Sequence, residues 1–426
     1  MNLVNSQISR IVKELEPRSP EFWGKLLLAL LLLSVFLNVD FPVGPVNLNP
    51  QDLLFLLVAV FFAVRLFLSS DIELRPFSPS LVLPIGLLIL YGIFQAPFVT
   101  SQIRALAEII QLLEVFLLVF ILGETSPLEL KKDDITLILF LFYIFSIAGA
   151  INDLVYVAVT GRHFLGNIWF YFGSLIFGLF YALYRAMFTG EKVHYFSLPL
   201  FAAAIIFSES RGLWLVVVIS IGFISLLSRR VRIRVVPVVS VLLVVAIIAG
   251  LFGALPRSVT ASFSSLFTGS QGRDVRFYRW AVHGLMFLDN PMGVGLGNGR
   301  FHTPDYVVFE ADKLDATPSI TKFDSDGPMP AVSPHSDWFA LLGETGFIGV
   351  ILYGIFWGVI FQNILLTKEW SAETLIIGTF LASLFAQSFI KLQLMTGGGV
   401  AIVFAYYFYR KFAITTTFKK KYLGKG

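Results

Sequence analysis

Three groups of residues in this sequence have the chemistry to grip an anion or move a proton. Arg211 stands in Ser210-Arg211-Gly212-Leu213-Trp214-Leu215, at the head of an apolar run. A guanidinium offers planar, paired donors and so forks a phosphate at a wetted surface. At the centre of a bilayer it costs roughly 2.5–3.5 kcal/mol or more unless paired. The plain alternative is an interfacial arginine, snorkelling or paired with Glu209. A second group is Gly272-Arg273-Asp274-Val275-Arg276-Phe277-Tyr278-Arg279-Trp280. On a helix Arg273, Arg276 and Arg279 fall along one slowly turning face, either an anion site or a stripe facing solvent and head groups. The third candidate is His335, in Ser333-Pro334-His335-Ser336-Asp337-Trp338. A lone histidine is more often structural than catalytic. Imidazole is nevertheless the usual general base near neutral pH, and Asp337 could tune it, although i+2 on a helix points elsewhere.

Other signals carry less. Gly293-Val294-Gly295-Leu296-Gly297-Asn298-Gly299 looks phosphate-like but lacks dinucleotide spacing and a soluble βαβ context, so it reads as a turn after a helix ended by Asn290-Pro291. His163, His194, His283 and His302 form no metal-ligand spacing, and the chain has no cysteine, so no metal site is expected. Glu108, Glu114 and Lys391 lie at unusual depth in apolar segments, as packing pairs or as a proton or ion path.

The elements that must hold these groups are membrane helices. The 426 residues are 56% hydrophobic and 14% charged, against about a quarter charged in soluble domains. The apolar residues come in long blocks at 23–38, 51–68, 81–97, 103–122, 135–158, 167–188, 195–208, 212–228, 235–253, 338–365, 372–390 and 397–411. The expected fold is therefore an all-α polytopic membrane protein with about twelve spans. Two short helices are expected over 193–228, because Ser208-Glu209-Ser210-Arg211-Gly212 interrupts that stretch. Residues 1–22 are polar with no small-residue cleavage site after the first block, which is expected to remain as a span.

Lysine and arginine set the orientation. With a cytoplasmic N-terminus, the short opposite connections hold only Arg104, Arg162, Arg211 and Lys391, while basic clusters such as Arg229-Arg230-Val231-Arg232-Ile233-Arg234 and the tail fall inside. Both termini are thus expected to be cytoplasmic. The chain divides into spans 1–9 (1–253), a large non-cytoplasmic loop (254–337), spans 10–12 (338–411) and a basic tail (412–426). An apolar, aromatic run from Phe277 to Leu288 predicts an amphipathic helix inside the loop, which then forms a partly helical cap.

These residues resemble the O-antigen ligase and polymerase superfamily of bacterial envelope glycosyltransferases. The ligase pattern of Arg, three residues, then Leu is met by Arg211 and Leu215. A second pattern, His, then Asn, Ser or Gln, nine residues, Gly, two residues, then Gly, Thr or Tyr, is met by His335, Ser336, Gly346 and Gly349. An Arg four residues before a Trp, followed by an Asn-Pro-x-Gly-x-Gly-x-Gly turn, singles out Arg276. The resemblance covers residues 211–349; beyond them it is one of topology alone.

The resemblance implies an enzyme in the bacterial inner membrane with its active site facing the periplasm. It implies transfer of a glycan from undecaprenyl diphosphate to an acceptor sugar hydroxyl, such as one on lipid A-core, with inversion and without metal or other cofactor. Arg211 and Arg276 would bind the diphosphate, Arg273 and Arg279 would be secondary contacts, and His335 would be the base. Within the superfamily, a polymerase would use a second lipid-linked glycan as acceptor. From another class, a transporter or flippase would use Glu108, Glu114 and Lys391, but the two halves show no inverted repeat.

Overall fold

The computed structural model describes residues 20–35, 41–43, 46–68, 75–123, 126, 128–160, 172–208, 211–251, 275–299, 301–303, 336–389 and 398–423. Helix α1 (Pro20–Ser34) leads to strands β1 (Phe41–Val43) and β2 (Val46–Leu48), paired antiparallel with Phe41 opposite Leu48. Helices α2 (Pro50–Leu68), α3 (Pro79–Gln95), α4 (Gln102–Ile121), α5 (Lys132–Thr160) and α6 (Phe172–Tyr184) follow. Next come α7 (Val193–Phe207), α8 (Arg211–Leu227), α9 (Arg229–Leu251) and α10 (Val275–Asp289). The last described elements are α11 (Asp337–Leu365), α12 (Ala372–Ser388) and α13 (Gly398–Leu423).

A helix stands at each predicted apolar segment, with separate helices α7 and α8 on either side of residues 209–210. Pro50–Leu68, Pro79–Phe98, Lys132–Val159 and Asp337–Leu365 are long and apolar enough to cross a membrane. Five shorter apolar helices accompany them: Phe22–Ser34, Gly173–Thr189, Val193–Phe207, Gly212–Leu227 and Ala372–Ser388. The hairpin departs from the all-α expectation. Its two β-prone runs are three residues each, too short to stand out from the apolar blocks around them.

Helix starts follow from local chemistry. The Asn49 amide donates to Asp52 Oδ2 at 2.8 Å and the Lys131 amide to Asp134 Oδ2 at 2.8 Å, each carboxylate reaching back from the first turn. Ser371 caps α12 by accepting from the Thr374 amide at 3.1 Å. Helix α12 then runs through the core, buried along Thr374–Leu384 and packed on α6, α8 and α13. A Cβ on Gly378, near the start of α12, would lie 3.7 Å from Ile224, near the end of α8. Just past the end of α8, Arg234 donates to the Met187 carbonyl at 3.3 Å, and nearby Arg185 pairs with Glu373 at the start of α12. The two helices therefore run antiparallel, and Arg211 opens α8 toward the Ser388 end of α12. An aromatic cluster of Trp357, Phe361 and Phe385, joined by Phe223, ties α11 to both.

The bundle has two different ends. One is held by ion pairs: Lys25 with Asp134 at 2.8 Å, Arg185 with Glu373 at 3.1 Å, and Lys411 with Glu129. Arg410 donates to the Phe77 carbonyl at the same end. The other end gathers the α3–α4 connection, the residues after α10 and the start of α11.

Helix α11 is broken at this second end. Gly346 has φ 64° and ψ −155°, a region open in practice to glycine alone. A Cβ there would also sit 2.0 Å from the Pro291 carbonyl oxygen. Gly346→Ala is therefore expected to destabilise the protein by roughly 1–3 kcal/mol or more. A thermal melt in detergent checks this; an unchanged midpoint would contradict the account of the kink.

Candidate functional site

The site is built around that break. When α11 departs from helical geometry, its amides and carbonyls need other partners. The turn after α10 supplies them. The Val294 amide donates to the Gly343 carbonyl at 3.1 Å, the Gly295 amide to the Glu344 carbonyl at 2.8 Å, and the Phe347 amide to the Pro291 carbonyl at 3.3 Å. So close a fit requires glycines: Gly293, Gly295 and Gly297 have φ of 82°, 103° and 71°. A Cβ on Gly293 would fall 2.2 Å from the Glu344 carbonyl oxygen, and one on Gly343 2.7 Å from His283 Nδ1.

The phosphate-like appearance of this glycine run has a physical basis, but the acceptor its amides receive is internal. The Gly297 and Gly299 amides donate to the two carboxylate oxygens of Glu344, at 3.0 and 3.3 Å. On its other side the turn meets α3 and α4. Tyr91 Oη and Gln95 Nε2 donate to the Met292 carbonyl at 2.6 and 2.8 Å, and the Ser101 amide donates to Asn298 Oδ1 at 2.8 Å. Leu296 is fully buried, within reach of Gly92 and Ile109. The described part of the cap is thus wedged into the bundle. Glu108 belongs to this junction, with its Cγ against Gly297 and with Arg104 and Glu344 as its charged neighbours. Glu114 lies elsewhere, buried beside Gln51 and Asp52 of α2.

Against this frame the predicted residues fall as follows. Arg273, His335 and Lys391 lie outside the described residues. Arg276 and Arg279 occupy the first two turns of α10, and Arg211 is the first residue of α8; their backbone positions alone are described. The turns carrying Arg276 and Arg279 adjoin the start of α11, since Trp280 stacks on Phe339 with centroids 5.0 Å apart and planes 6° apart. Ser336, next to His335 in the chain, is buried, and its hydroxyl donates to the Ser388 carbonyl at 3.3 Å. Trp338 Nε1 donates to Ser388 Oγ at 2.9 Å. Arg211, by the antiparallel packing, opens α8 beside that same end of α12. The corner before it is closed by Trp214, whose Nε1 donates to the Ile205 carbonyl at 2.8 Å.

Asp337, two residues after His335, is turned into the core, and its relation to His335 lies outside the described residues. It is buried and accepts from Tyr353 Oη at 2.7 Å; sixteen residues of unbroken helix would span about 24 Å, so it is the break at Gly346 that brings the two together. The remaining histidines have structural surroundings. His194 pairs with Glu191 and Tyr143, His283 packs against Gly343 and Gly299, and His302 meets Thr100; His163 lies outside the described residues. Among the described residues no group of three or more His, Asp or Glu side chains is placed to hold a metal ion.

Two residues escaped sequence reasoning. Glu344 sits in an otherwise apolar segment, and an intramembrane carboxylate is itself a signal. Asp153, in the second half of α5, lines a recess with Phe207 and Ser208 close to the Arg211 corner.

Residues 196–354 match the family model described as O-Antigen ligase. The chain carries an O-antigen ligase family domain. That domain runs from α7 to beyond the kink in α11 and contains Arg211, Arg276, His335, Gly346 and Gly349. A comparison with curated proteins returned no match. Family members are membrane enzymes of the glycosyltransferase type, in accord with the apolar helices here. The ligase-family pattern also acquires a mechanical meaning. Gly346 makes the kink, and a side chain at Gly349 would collide with Thr345, whose hydroxyl donates back to the Leu341 carbonyl at 2.8 Å.

Tyr353→Phe would leave a buried Asp337 oxygen without this donor. The expected loss is about 1–3 kcal/mol, read as a lower midpoint of thermal unfolding; no shift would show that the pair contributes nothing.

Proposed function

We propose that this protein is an O-antigen ligase-type glycosyltransferase. It moves a glycan from undecaprenyl diphosphate to a hydroxyl of an acceptor sugar, lipid A-core being the acceptor class implied by a ligase. In this reading it lies in the bacterial inner membrane with about twelve spans, both termini in the cytoplasm and the glycine-turn end toward the periplasm. One observation carries the reading. The domain match at residues 196–354 coincides with the segments whose ends meet at one end of the bundle: the starts of α8, α10 and α11.

The chemistry follows from the residue types. Arg211 and Arg276 grip the diphosphate and stabilise the charge it gains as the anomeric C–O bond breaks, with Arg273 and Arg279 as further anion contacts. His335 accepts the proton of the acceptor hydroxyl as its oxygen attacks the anomeric carbon from the opposite side. Undecaprenyl diphosphate leaves with the bonding electrons, and the anomeric centre inverts. No step requires a metal, because two guanidiniums supply the compensating charge.

A polymerase would share donor, leaving group and these side chains, and would differ only in taking a lipid-linked glycan as acceptor. A transporter would need a charged path through the bundle. Glu108 is instead engaged with the turn after α10, and Glu114 with α2.

In membranes with matched protein levels, His335→Ala is expected to lower glycan transfer by about 10²–10⁴-fold. Arg211→Ala or Arg276→Ala should cost about 10²–10³-fold. Transfer at the unsubstituted rate in His335→Ala or Arg211→Ala would overturn the assignment.

A further inference from the structure

The turn after α10 is fastened to two different bodies. Its first arm, Pro291–Gly295, is bound to α11 through backbone hydrogen bonds and to α3 through the Met292 carbonyl. Its second arm, Gly297–Gly299, is bound to the α3–α4 connection through Asn298, which accepts from the Ser101 amide and donates to the Ser101 carbonyl. Glu344 crosses between these bodies. It belongs to α11, yet its carboxylate takes the amides of the second arm at 3.0 and 3.3 Å. A buried carboxyl deprived of such partners is costly, so the two amides tie the second arm to α11 through Glu344.

We propose that Glu344 is a positioning residue for the transfer reaction assigned above. By clasping the second arm of the turn, it fixes α10, with Arg276 and Arg279 in its first turns, at a set offset from the start of α11, next to His335. The kinetic consequence rests on the transfer reading; the mechanical one does not. Without the carboxylate, the second arm stays attached to the α3–α4 connection and only the backbone bonds of the first arm hold the turn to α11, so the offset between them is less firmly fixed. A misplacement of about 1 Å between reacting groups costs on the order of 100-fold in rate. The donor's binding is affected much less, because Arg276 and Arg279 ride together on α10, Arg211 is borne on α8, and neither helix carries Glu344.

The test uses the absence of cysteine in the full chain. A Cβ at Gly284 on α10 or at Gly354 on α11 meets no heavy atom within 4 Å, so both positions accept a spin label after Gly284→Cys and Gly354→Cys. The labelled protein is expected to give one narrow distance distribution. Glu344→Ala should broaden or shift it and lower kcat by about 10- to 100-fold, with KM for the lipid-linked donor within about twofold. Glu344→Gln keeps one acceptor oxygen and should fall between, and it carries the test if the alanine variant does not fold. An unchanged distribution in these variants overturns the clasp. A disturbed distribution with full kcat overturns its role in positioning. If the unsubstituted protein releases no lipid diphosphate, the transfer reading falls and takes the kinetic role with it, while the distances still decide whether Glu344 holds α10 to α11.

Discussion

A helix that breaks at membrane depth must find new partners for the amides and carbonyls it frees, because lipid offers none. Helix α11 breaks at Gly346, and the glycine turn after α10 meets the demand with three backbone hydrogen bonds. Much of the architecture at this end follows. The turn's approach is close enough that Gly293, Gly343 and Gly346 cannot carry side chains without collision. Its far side is gripped by Tyr91, Gln95 and Ser101, so α3 and α4 are drawn into the same junction.

The same constraint sets where the proposed site residues fall. Because α10 ends in this turn, its first turns come against the start of α11, where Trp280 stacks on Phe339. Because α11 starts beside the end of α12, Ser336 and Trp338 are secured to Ser388. Because α8 runs antiparallel to α12, Arg211 opens at that end as well. In the proposed reaction Arg211 is borne on α8 and Arg276 and Arg279 on α10, while His335 precedes α11 in the chain, and the junction sets the spacing of these helices. The opposite end, with Arg185, Lys25 and Lys411 in ion pairs, holds the helices in register.

Some of this was legible in the sequence and some was not. The apolar blocks announced the helices, since an uninterrupted apolar run has few other uses, and Ser208–Gly212 announced the break between α7 and α8. Asn290-Pro291 correctly marked the end of α10. The glycine run was read as a turn, but its partner was out of reach, because Glu344 is about fifty residues away and looks like a spacer within its own motif. The Asp337–Tyr353 pair is hidden for a similar reason, because sixteen residues separate the two and only the break at Gly346 brings them together. The β-hairpin at 41–48 left no periodic signal that three-residue strands could produce.

The central claim is that this end of the bundle transfers a glycan from a lipid diphosphate to a sugar hydroxyl. The most direct measurement incubates the purified protein with undecaprenyl-diphosphate glycan, with and without lipid A-core, and follows both lipids. The account predicts release of undecaprenyl diphosphate that depends on lipid A-core, with the glycan recovered on that acceptor. Release with lengthening of the lipid-linked glycan alone would make the protein a polymerase. No release under any condition, with glycan merely moved across the bilayer, would contradict the account.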